Sequence, residues 1–324
     1  MADQDRLNEV RQALRRLDER DLLELIPDIS EVLRRTATEW WWMKREVFDR
    51  FEAHGFHVTQ DHFYSPAPSV SRLAAALWDG PRYAIPAFTV DLAHMRDRFD
   101  ELAVFASELG GIPADAEYDY CWNNVFFPNF DAIVYYGLCR RFRPAMVFEI
   151  GAGYSTLIAL EAAARNGQTR VRCVEPYPSR VLGRHANRLE SLIARPVQDV
   201  PLTTYADLRS GDVLFVDTSH VSKIGSDLHH ILFHVLPALP QGVFVHFHDI
   251  FLPREYPREW VIERNWFWNE QYLLLAFLMC NRDFSVLLLN NDFLHTHRDH
   301  ARRALGGLNA GALSGSSMWL RKEH

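Results

Sequence analysis

One short stretch near the middle of the chain combines a carboxylate with a glycine-rich turn. Glu149 ends the apolar run MVFE, Gly151 and Gly153 follow it, and a helical pattern begins after them. Glycines in such a turn let a ligand approach the backbone closely. A dinucleotide-binding fingerprint would require a third glycine where this chain has Thr156. Because Glu149 would repel a pyrophosphate, the stretch favours a cationic ligand.

A second acidic residue indicates which cationic ligand this is. Glu175 stands at the end of the next apolar segment, RVRCVEP. An acidic residue at that place can accept hydrogen bonds from both hydroxyls of a ribose. S-adenosyl-L-methionine (SAM) carries a ribose, a sulfonium and an ammonium, and it has no phosphate. The sequence therefore predicts a SAM site at this turn.

Ionisable side chains also follow two later strand-like segments. Asp217 and His220 come at the end of GDVLFVD, and His246, His248 and Asp249 come at the end of QGVFVHFHD. Because side chains alternate along a strand, His246 and His248 share one face. A neutral imidazole with its ordinary pKa of about 6.5 can accept a proton at neutral pH. We therefore predict that His220 or His248 is the general base. Asp217 and Asp249 would orient it or hold the ammonium of SAM.

These residues belong to an alternation of strand and helix that starts near residue 145. The predicted strands are AMVFEIG, RVRCVEP, RPVQDV, GDVLFVD, QGVFVHFHD, FSVLLLN and SMWLRK, and SRVLGRHANRLESLI is one of the predicted helices between them. Strands separated by helices imply parallel pairing, so we predict an α/β fold with a doubly wound, Rossmann-like sheet. No clear helix is expected between the last two strands, which suggests an antiparallel final strand.

The N-terminal part has a different pattern. Residues 1 to about 60 show helical periodicity that runs into TEWWWMKREVFDRF, and another helix is predicted over residues 89–110. A helical layer over a sheet or a partner subunit is the favoured interpretation, and a substrate lid is the alternative. We divide the chain into an N-terminal helical extension, lid and connecting segment, residues 1–120, and a SAM-binding domain, residues 121–324.

Composition limits the classes of partner and compartment. The chain has 324 residues, a net charge of −7 and four scattered cysteines without a CxxC pair. The charge gives no reason to expect nucleic acid or an anionic membrane as partner, and the cysteines suggest reduced thiols. The charged N-terminus lacks a signal-peptide pattern, and no apolar run has membrane-spanning length. We expect a cytoplasmic protein with a small-molecule substrate that could form a homodimer.

The pattern resembles the class I SAM-dependent methyltransferases, and more narrowly the family-24-type enzymes that modify small molecules and glycans in bacteria. The resemblance covers about residues 120 to 322 and rests on HFYSP, YCWNN, EIGAGYSTL, CVEPYPS, LFVDTSHVSKIGSD, GVFVHFHDIFLPREYPREWV and WNEQYLLLAFL. It implies a seven-stranded sheet whose last strand is antiparallel.

The resemblance also implies roles for individual residues. Glu149, Gly151 and Gly153 would surround the methionine part of SAM, Ser155 would donate to its carboxylate, and Glu175 would hold the ribose. Further cofactor contacts are assigned to Asn123, Asn124, Tyr177, Gln198, Asp199 and Asp217. The remaining histidines are expected to be surface or packing residues: His229, His230, His234, His295, His297 and His300.

The alternative to a histidine general base at these strand ends is a metal site. Metal-dependent O-methyltransferases place three ligands at positions that match Asp217, His248 and Asp249. A histidine in this set departs from a Mg²⁺ site and would suit Fe²⁺, Mn²⁺ or Zn²⁺ better. The favoured interpretation has no metal, and a divalent metal remains the second.

The sequence predicts methyl transfer from SAM to an oxygen or nitrogen of a small molecule, such as a specialised metabolite, a sugar or an amino-acid derivative. The aromatic residues in WVIERNWFWNEQY suggest an apolar or ring-bearing acceptor. One alternative is a cyclase or lyase that consumes SAM and releases methylthioadenosine. A non-enzymatic SAM-binding scaffold subunit is the other.

Overall fold

Seven strands form one mixed sheet in the C-terminal part of the chain. They are β1 (Met146–Ile150), β2 (Arg170–Val174), β3 (Ser191–Ile193), β4 (Val213–Val216), β5 (Phe244–Phe247), β6 (Phe284–Leu289) and β7 (Met318–Lys322). Their order is β3-β2-β1-β4-β5-β7-β6, and β7 is antiparallel to both of its neighbours. The pairs from β3 to β5 are all parallel. This confirms the predicted Rossmann-like α/β fold with an antiparallel last strand.

The structure is a computed structural model that describes residues 2–37, 43–85, 94–308 and 310–324. Its contacts divide the chain into two compact units, Met1–Leu73 and Ala74–His324. Residues 38–42 of the predicted segment TEWWWMKREVFDRF lie outside the described residues, and so do residues 89–93 of the helix predicted over 89–110. The assignment of residues 1–120 as an extension and lid stays a prediction.

The first unit is helical, as its periodicity predicts. It contains α1 (Ala2–Leu14), α2 (Glu19–Arg35), α3 (Arg45–Glu52) and a 3₁₀ turn at Val70–Arg72. A capping box starts α2, because Asp18 accepts from the backbone N–H of Asp21 at 2.9 Å and Asp21 accepts from that of Asp18 at 3.2 Å. Leu22 and Ile26 on α2 are each 47% exposed. A partner for this apolar stripe, including a second copy of the chain, stays a prediction.

Helices flank the strands in the second unit. They are α4 (Met95–Ala103), α5 (Asn129–Phe142), α6 (Tyr154–Asn166), α7 (Arg180–His185), α8 (Asp227–His230), α9 (Leu236–Ala238), α10 (Arg258–Ile262), α11 (Glu270–Met279) and α12 (Asn290–Ala304). One π-helical turn, Ile231–Val235, joins α8 to α9. Short 3₁₀ turns occur at Ala75–Trp78, Ala106–Leu109, Ala186–Arg188, Val197–Asp199 and Leu202–Tyr205. None of the helices in the described ranges has the length and apolar character to cross a bilayer.

The prediction of the third strand at RPVQDV is wrong. The strand at this edge of the sheet is β3, which lies inside the segment predicted as the helix SRVLGRHANRLESLI, and the residues after Pro196 form a 3₁₀ turn. Pairing explains the difference, since β3 runs parallel to β2 and the backbone N–H of Glu175 donates to Ile193 O at 3.0 Å. Tertiary hydrogen bonding therefore overrides the local helical pattern.

The expectation of no helix between the last two strands is also wrong, because α12 fills that connection. Its sequence, NNDFLHTHRDHARRA, is rich in histidine and arginine and offers few apolar positions for a periodic pattern. Phe293, Leu294 and Ala301 nevertheless give it a buried face. The helix also contains a break at His297, where φ is −132° and ψ is 27°.

Side-chain alternation along the central strands distributes residues between the two faces of the sheet. Phe215 on β4 packs in one apolar cluster, and its neighbour Val216 packs in the other. On β1, Val147 belongs to the same cluster as Phe215, together with residues of α5 and α6. Glu149 therefore points into the layer formed by α5 and α6.

Candidate active site

The turn after β1 accepts only glycine at its first position. Gly151 has a φ of 85°, and a Cβ built there would lie 1.6 Å from the backbone oxygen of Asp217. The backbone N–H of Gly151 donates to Val174 O at 2.9 Å, and that of Asp217 donates to Ile150 O at 2.9 Å. A Cβ built on Gly153 has no neighbour within 4 Å. The second glycine thus faces open space in which a ligand can approach the backbone.

Glu149 lies beneath this turn and supports it. Its buried carboxylate accepts from the hydroxyl of Tyr135 at 2.9 Å and from the hydroxyl of Thr156. Thr156 Oγ1 in turn accepts from the backbone N–H of Gly153 at 3.0 Å. Burial, helped by the charge of Asp217, raises the pKa of Glu149 to about 7 against the lowering effect of its hydrogen bonds. Glu149 lines neither of the two cavities that open above it. Contact with the methionine part of SAM, its predicted role, would therefore be indirect.

Glu175 connects the turn to the end of β2. Its Oε2 accepts from the backbone N–H of Ala152 at 3.2 Å, and its Oε1 accepts from that of Tyr177 at 2.7 Å. The side chain is partly exposed and lines both cavities. A carboxylate held by two backbone donors still has lone pairs for others. This is the geometry that the predicted ribose contact requires.

Two cavities meet at Glu175 and Asp217. The larger, about 810 Å³, runs from the turn past His220 and His248 to three indole rings, and we call it the tryptophan cavity after Trp260, Trp266 and Trp268. The smaller, about 470 Å³, runs along the end of β2, and we call it the β2 cavity; Gly151, Tyr177 and Gln198 are among its lining residues. Each volume lies in the range of small-molecule sites.

His220 is surrounded by three carboxylates. Its Nδ1 lies 2.7 Å from Glu270 Oε2, and its Nε2 lies 3.3 Å from Asp217 Oδ1 and 3.7 Å from Asp249 Oδ2. The imidazole packs on the indole of Trp268 with 4.3 Å between ring centroids. Burial lowers the pKa of His220, but hydrogen bonds and charges from Asp217 and Glu270 outweigh burial and raise it to about 10.

His248 is held in a similar way from the other side. Its Nδ1 lies 3.4 Å from Asp249 Oδ2 and 3.7 Å from Asp217 Oδ2, and its Nε2 lies 3.4 Å from Asp131 Oδ2. Asp131 is fully buried and accepts from the backbone N–H of Ser316 at 2.8 Å. Burial lowers the pKa of His248, but the charges of Asp249 and Asp217 raise it well above its ordinary value.

The pKa of each imidazole therefore lies above its ordinary value in the free protein, and that of His220, about 10, keeps it protonated at neutral pH. This contradicts the sequence-based expectation of a neutral base with its ordinary pKa, because that expectation left out the buried carboxylates. The charged imidazoles also shift the pKa values of the carboxyl groups beside them. Burial raises the pKa of Asp217 and of Asp249, but the imidazolium charges outweigh it and hold both carboxyl groups below their usual range.

The backbone around the two histidines has two further uncommon features. His220 and Asp249 have φ values of 59° and 56°, in the left-handed region that few residues other than glycine adopt. Such conformations persist only where the surrounding structure imposes them, and they concentrate at functional sites. His246, on the same strand, is fully buried against Phe215 and lies 2.7 Å from Ser317 Oγ through Nε2, outside both cavities.

Comparison with known proteins identifies the family. A family model described as a methyltransferase domain, for methyltransferase family 24, matches residues 148–250. An uncharacterized protein of Archaeoglobus fulgidus is 31% identical over 159 residues, which are 45% of this chain and 72% of that protein. The chain belongs to this methyltransferase family. It is a class I SAM-dependent methyltransferase, and its cofactor is SAM.

Two solved structures are similar to the methyltransferase at low identity. Cofactor-bound Rv0187 from MTB is 15% identical with a TM-score of 0.37, and the match covers 68% of this chain and 88% of that chain. An O-methyltransferase from Bacillus cereus in complex with S-adenosylhomocysteine (SAH) is 14% identical with a TM-score of 0.33, and the match covers 70% of this chain and 91% of that chain.

The residues at the turn of the methyltransferase fit its cofactor. Gly153 leaves its side of the turn open, and the carboxylates of Glu175 and Asp217 face the two cavities where they meet. A ligand with a ribose and two positive groups satisfies this donor and charge pattern better than a phosphate would. Ser155, 4% exposed at the start of α6, lines the tryptophan cavity, and its donation to the carboxylate of SAM stays a prediction.

Of three further residues predicted to contact the cofactor, Tyr177, Gln198 and Asp199, the structure places only two at a cavity. Tyr177, 85% exposed, and Gln198 both line the β2 cavity, and Gln198 Nε2 donates to Gly225 O at 3.0 Å. Asp199 lies in the same 3₁₀ turn as Gln198 but lines neither cavity. Tyr177 and Gln198 are thus brought to one site, and Asp199 is not.

The loop before α5 reaches the site through residues other than the predicted asparagines. Asn123 Nδ2 donates to Asp115 Oδ1 at 3.0 Å, and Asn124 Oδ1 accepts from the backbone N–H of Phe126 at 3.1 Å. Neither asparagine lines the cavities, whereas Phe126 does and stacks on Tyr154 with 5.3 Å between centroids. Asn123 and Asn124 satisfy loop polar groups in this arrangement, and cofactor contact would require the loop to move.

Several important groups were missed from sequence. Asp131 and Glu270 lie at helix starts, where an acidic residue is ordinary, and only the folded chain reveals their burial against His248 and His220. The part of α12 that lines the tryptophan cavity was missed with the helix itself. The tryptophans lie in the aromatic stretch for which the sequence suggested an apolar acceptor.

The arrangement of the acidic and histidine side chains bears on the metal alternative. Within the described ranges, no cluster of three or more His, Cys, Asp or Glu side chains has an arrangement able to hold a metal ion. His248 Nδ1 lies 3.4 Å from Asp249 Oδ2 and 3.7 Å from Asp217 Oδ2, and both distances are ordinary for ion pairs. The geometry therefore adds no support to the metal interpretation.

Proposed function

We propose that the methyltransferase transfers the methyl group of SAM to an oxygen or nitrogen atom of a small, ring-bearing molecule, and that His220 handles the proton of the acceptor. One observation carries this proposal. The tryptophan cavity is a continuous space that begins at the cofactor turn, passes His220, His248 and Asp249, and ends at an aromatic wall. Bound SAM supplies an electrophilic methyl group, and the cavity gives an acceptor room beside it.

The aromatic wall supports a ring-bearing acceptor. Trp266 and Trp268 stack with 4.9 Å between centroids, and Trp260 meets Trp268 edge-on at 5.2 Å. Trp268 also contacts the imidazole of His220. Indole faces bind flat apolar or aromatic groups, since they bury large area with defined geometry. An acceptor ring on this wall would lie next to the imidazole that receives its proton.

His220 is better placed than His248 to act on the acceptor. Glu270 is 1% exposed and fixes His220 through Nδ1, which leaves Nε2 toward the carboxylates at the cavity. The imidazole can accept a proton only after losing the one it carries in the free protein. A positive charge beside Asp217 weakens the field that holds this proton, so the pKa of His220 falls when the cofactor is bound. Positioned acid–base groups contribute roughly 10²–10⁴-fold to rate.

Product analysis tests the proposal. The full chain is incubated with SAM alone and with SAM plus a panel of aromatic alcohols, phenols and amines, and products are measured by mass spectrometry. We expect SAH only where an acceptor is present, together with an acceptor that has gained one methyl group. His220→Ala should lower turnover by roughly 10²–10⁴-fold with little change in SAM affinity, and His234→Ala, an exposed histidine outside both cavities, is the control.

Two outcomes would overturn it in favour of the alternatives. Methylthioadenosine formed from SAM without acceptor would indicate cyclisation or cleavage of SAM. Retained SAM binding with neither product, across the panel, would indicate a scaffold subunit. The position of His220 on the cavity supports transfer over cyclisation, because a cyclase needs no acceptor space.

A further inference from the structure

A third cavity lies beside the tryptophan cavity and is lined by positive side chains. Its volume is about 470 Å³, and its lining residues include Arg96 of α4 and Arg298 and Arg303 of α12. We call it the arginine cavity. Three guanidinium groups on one small cavity are unexpected in a chain whose net charge is −7. Arginine is the side chain best suited to bind carboxylate and phosphate, because its planar fork donates two parallel hydrogen bonds.

The three arginines are not neutralised by the protein. Across the described part of the chain, none of them forms an ion pair with a carboxylate; Arg298 only donates to Leu313 O at 2.6 Å. The one acidic residue of the lining is Asp299, whose side chain is 82% exposed and lies 3.7 Å from Arg302 Nη1. The lining thus combines three guanidinium groups without a carboxylate partner among the described residues, one exposed carboxylate, Asp299, and His300, which pairs with Asp100 at 2.6 Å.

The titration of a neighbouring histidine is consistent with this charge. Burial, followed by the charges of Arg254 and Arg298, lowers the pKa of His295, although Asp292 acts in the opposite direction. Arg254 itself pairs with Asp292 at 2.7 Å, which leaves Arg298 as the unpaired cation beside His295. The space near His295 thus disfavours a further positive charge and favours an anion.

The arginine cavity adjoins the proposed acceptor space. Leu294, His295 and Arg298 line both cavities. The break in α12 at His297 comes two residues after His295. A molecule whose ring lies on the tryptophans would reach the arginines by extending past Leu294 and His295.

We infer that the acceptor carries an oxyanion group, a carboxylate or a phosphate ester, that binds among Arg96, Arg298 and Arg303. This inference rests on the proposed function, which places an acceptor in the tryptophan cavity. The anionic group of that acceptor is inferred from the arginine cavity. The anion would anchor one end of the molecule and leave the opposite, nucleophilic end beside His220. The arginine cavity then selects the substrate class, and it takes no part in the chemical step.

Anion binding can be measured without turnover. Inorganic phosphate and benzoate are titrated into the full chain by calorimetry at constant ionic strength, without SAM. We expect saturable binding at millimolar concentrations, weakened about fivefold to tenfold by Arg303→Gln or by Arg96→Gln, since each removes one charge-assisted hydrogen bond. Both side chains are exposed and form no ion pair or hydrogen bond with the described residues, so these variants should fold normally. Arg302→Gln, which removes the neighbouring charge on α12 outside the cavity, should change binding less than twofold.

The inference is overturned if neither ion binds saturably. It is also overturned if Arg302→Gln weakens binding as much as Arg303→Gln does, because the effect would then be general electrostatics.

A second experiment compares pairs of acceptors in which one member carries a carboxylate or phosphate and the other carries an amide or alcohol at the same position. We expect a higher kcat/KM for the anionic member and loss of that preference in Arg303→Gln. A preference for the neutral member would overturn the inference and leave methyl transfer intact. Anion binding without SAH from any acceptor would instead count against the proposed function.

Discussion

His220 Nδ1 lies 2.7 Å from Oε2 of Glu270, a carboxylate that is 1% exposed and stands at the start of α11. The second carboxylate oxygen, Oε1, has no hydrogen-bond partner within the described residues. Burial raises the pKa of Glu270, although the hydrogen bond and the charge of His220 act to lower it. A buried charge pair of this kind orients the imidazole, and it also controls when His220 can give up its proton.

Replacing Glu270 by Gln should move the pH dependence of the reaction. The pKa of His220, about 10 in the free protein, should fall when one of its two main charge partners is removed. The rise of kcat/KM with pH should therefore shift to lower pH, and the plateau should be lower because a weaker base accepts the proton less readily. The pH–rate profile measures both effects.

A control variant makes the Glu270 result specific. Glu101→Gln changes an exposed carboxylate that pairs with Arg141 outside both cavities, and its profile should match that of the wild type. Protonated His220 stabilises the fold fully below the ordinary histidine pKa, and this contribution is lost as pH rises through about 10. An unshifted profile in a folded Glu270→Gln protein would remove Glu270 as the positioning residue of His220.

Glu175 should carry much of the affinity for SAM. A carboxylate that accepts ribose hydroxyls contributes about 1.5–3 kcal/mol for each charged hydrogen bond, so Glu175→Ala should weaken SAM binding at least tenfold. Calorimetry measures this directly. Glu161→Gln, on an exposed face of α6, should leave affinity unchanged. Equal affinity in the wild type and Glu175→Ala would end the assignment of the ribose to this residue.

The two glycines of the turn should respond differently to the same substitution. Gly151→Ala introduces a Cβ against the backbone of Asp217 at a positive φ, and it should destabilise the fold by more than about 1–2 kcal/mol. Gly153→Ala meets no protein atom, so its free energy of unfolding should change little while SAM affinity falls. Urea unfolding and calorimetry separate the effects. Equal stability losses in the two variants would contradict this account of the turn.

Glu149 should make the protein less stable as pH rises. Its pKa, about 7 in the folded chain, is raised above its ordinary value mainly by burial. A carboxyl group with a raised folded pKa contributes stability below its unfolded pKa and loses it as pH rises through the folded one. Glu149→Gln should therefore flatten the dependence of unfolding free energy on pH between about pH 5 and pH 8. A slope identical to that of the wild type would mean that Glu149 does not titrate in this window.

The sequence predicted the sheet well because its strands are short apolar runs separated by clear helical segments. The exceptions have physical causes. β3 forms where hydrogen bonding to β2 is available, and local pattern contains no information on that pairing. α12 has a buried face of only a few apolar residues among histidines and arginines, so periodicity does not reveal it.

The site was predictable where function depends on local chain geometry. Gly151 and Glu175 belong to one turn and the strand beside it, and sequence spacing brings them together. The environment of the histidines was not predictable, because Asp131 and Glu270 come from α5 and α11, far along the chain from the residues they contact. The protonation state of His220 followed from those contacts, and the sequence-based pKa was wrong for that reason.

A crystal structure of the full chain with SAH tests the central claim most directly. We predict the ribose hydroxyls at the carboxylate of Glu175, the adenine in the β2 cavity beside Tyr177, and the amino-acid part at the open side of Gly153. The sulfur should then face the tryptophan cavity, toward His220. SAH bound elsewhere, or with its sulfur directed away from His220, would contradict the assignment of this cavity as the place of methyl transfer.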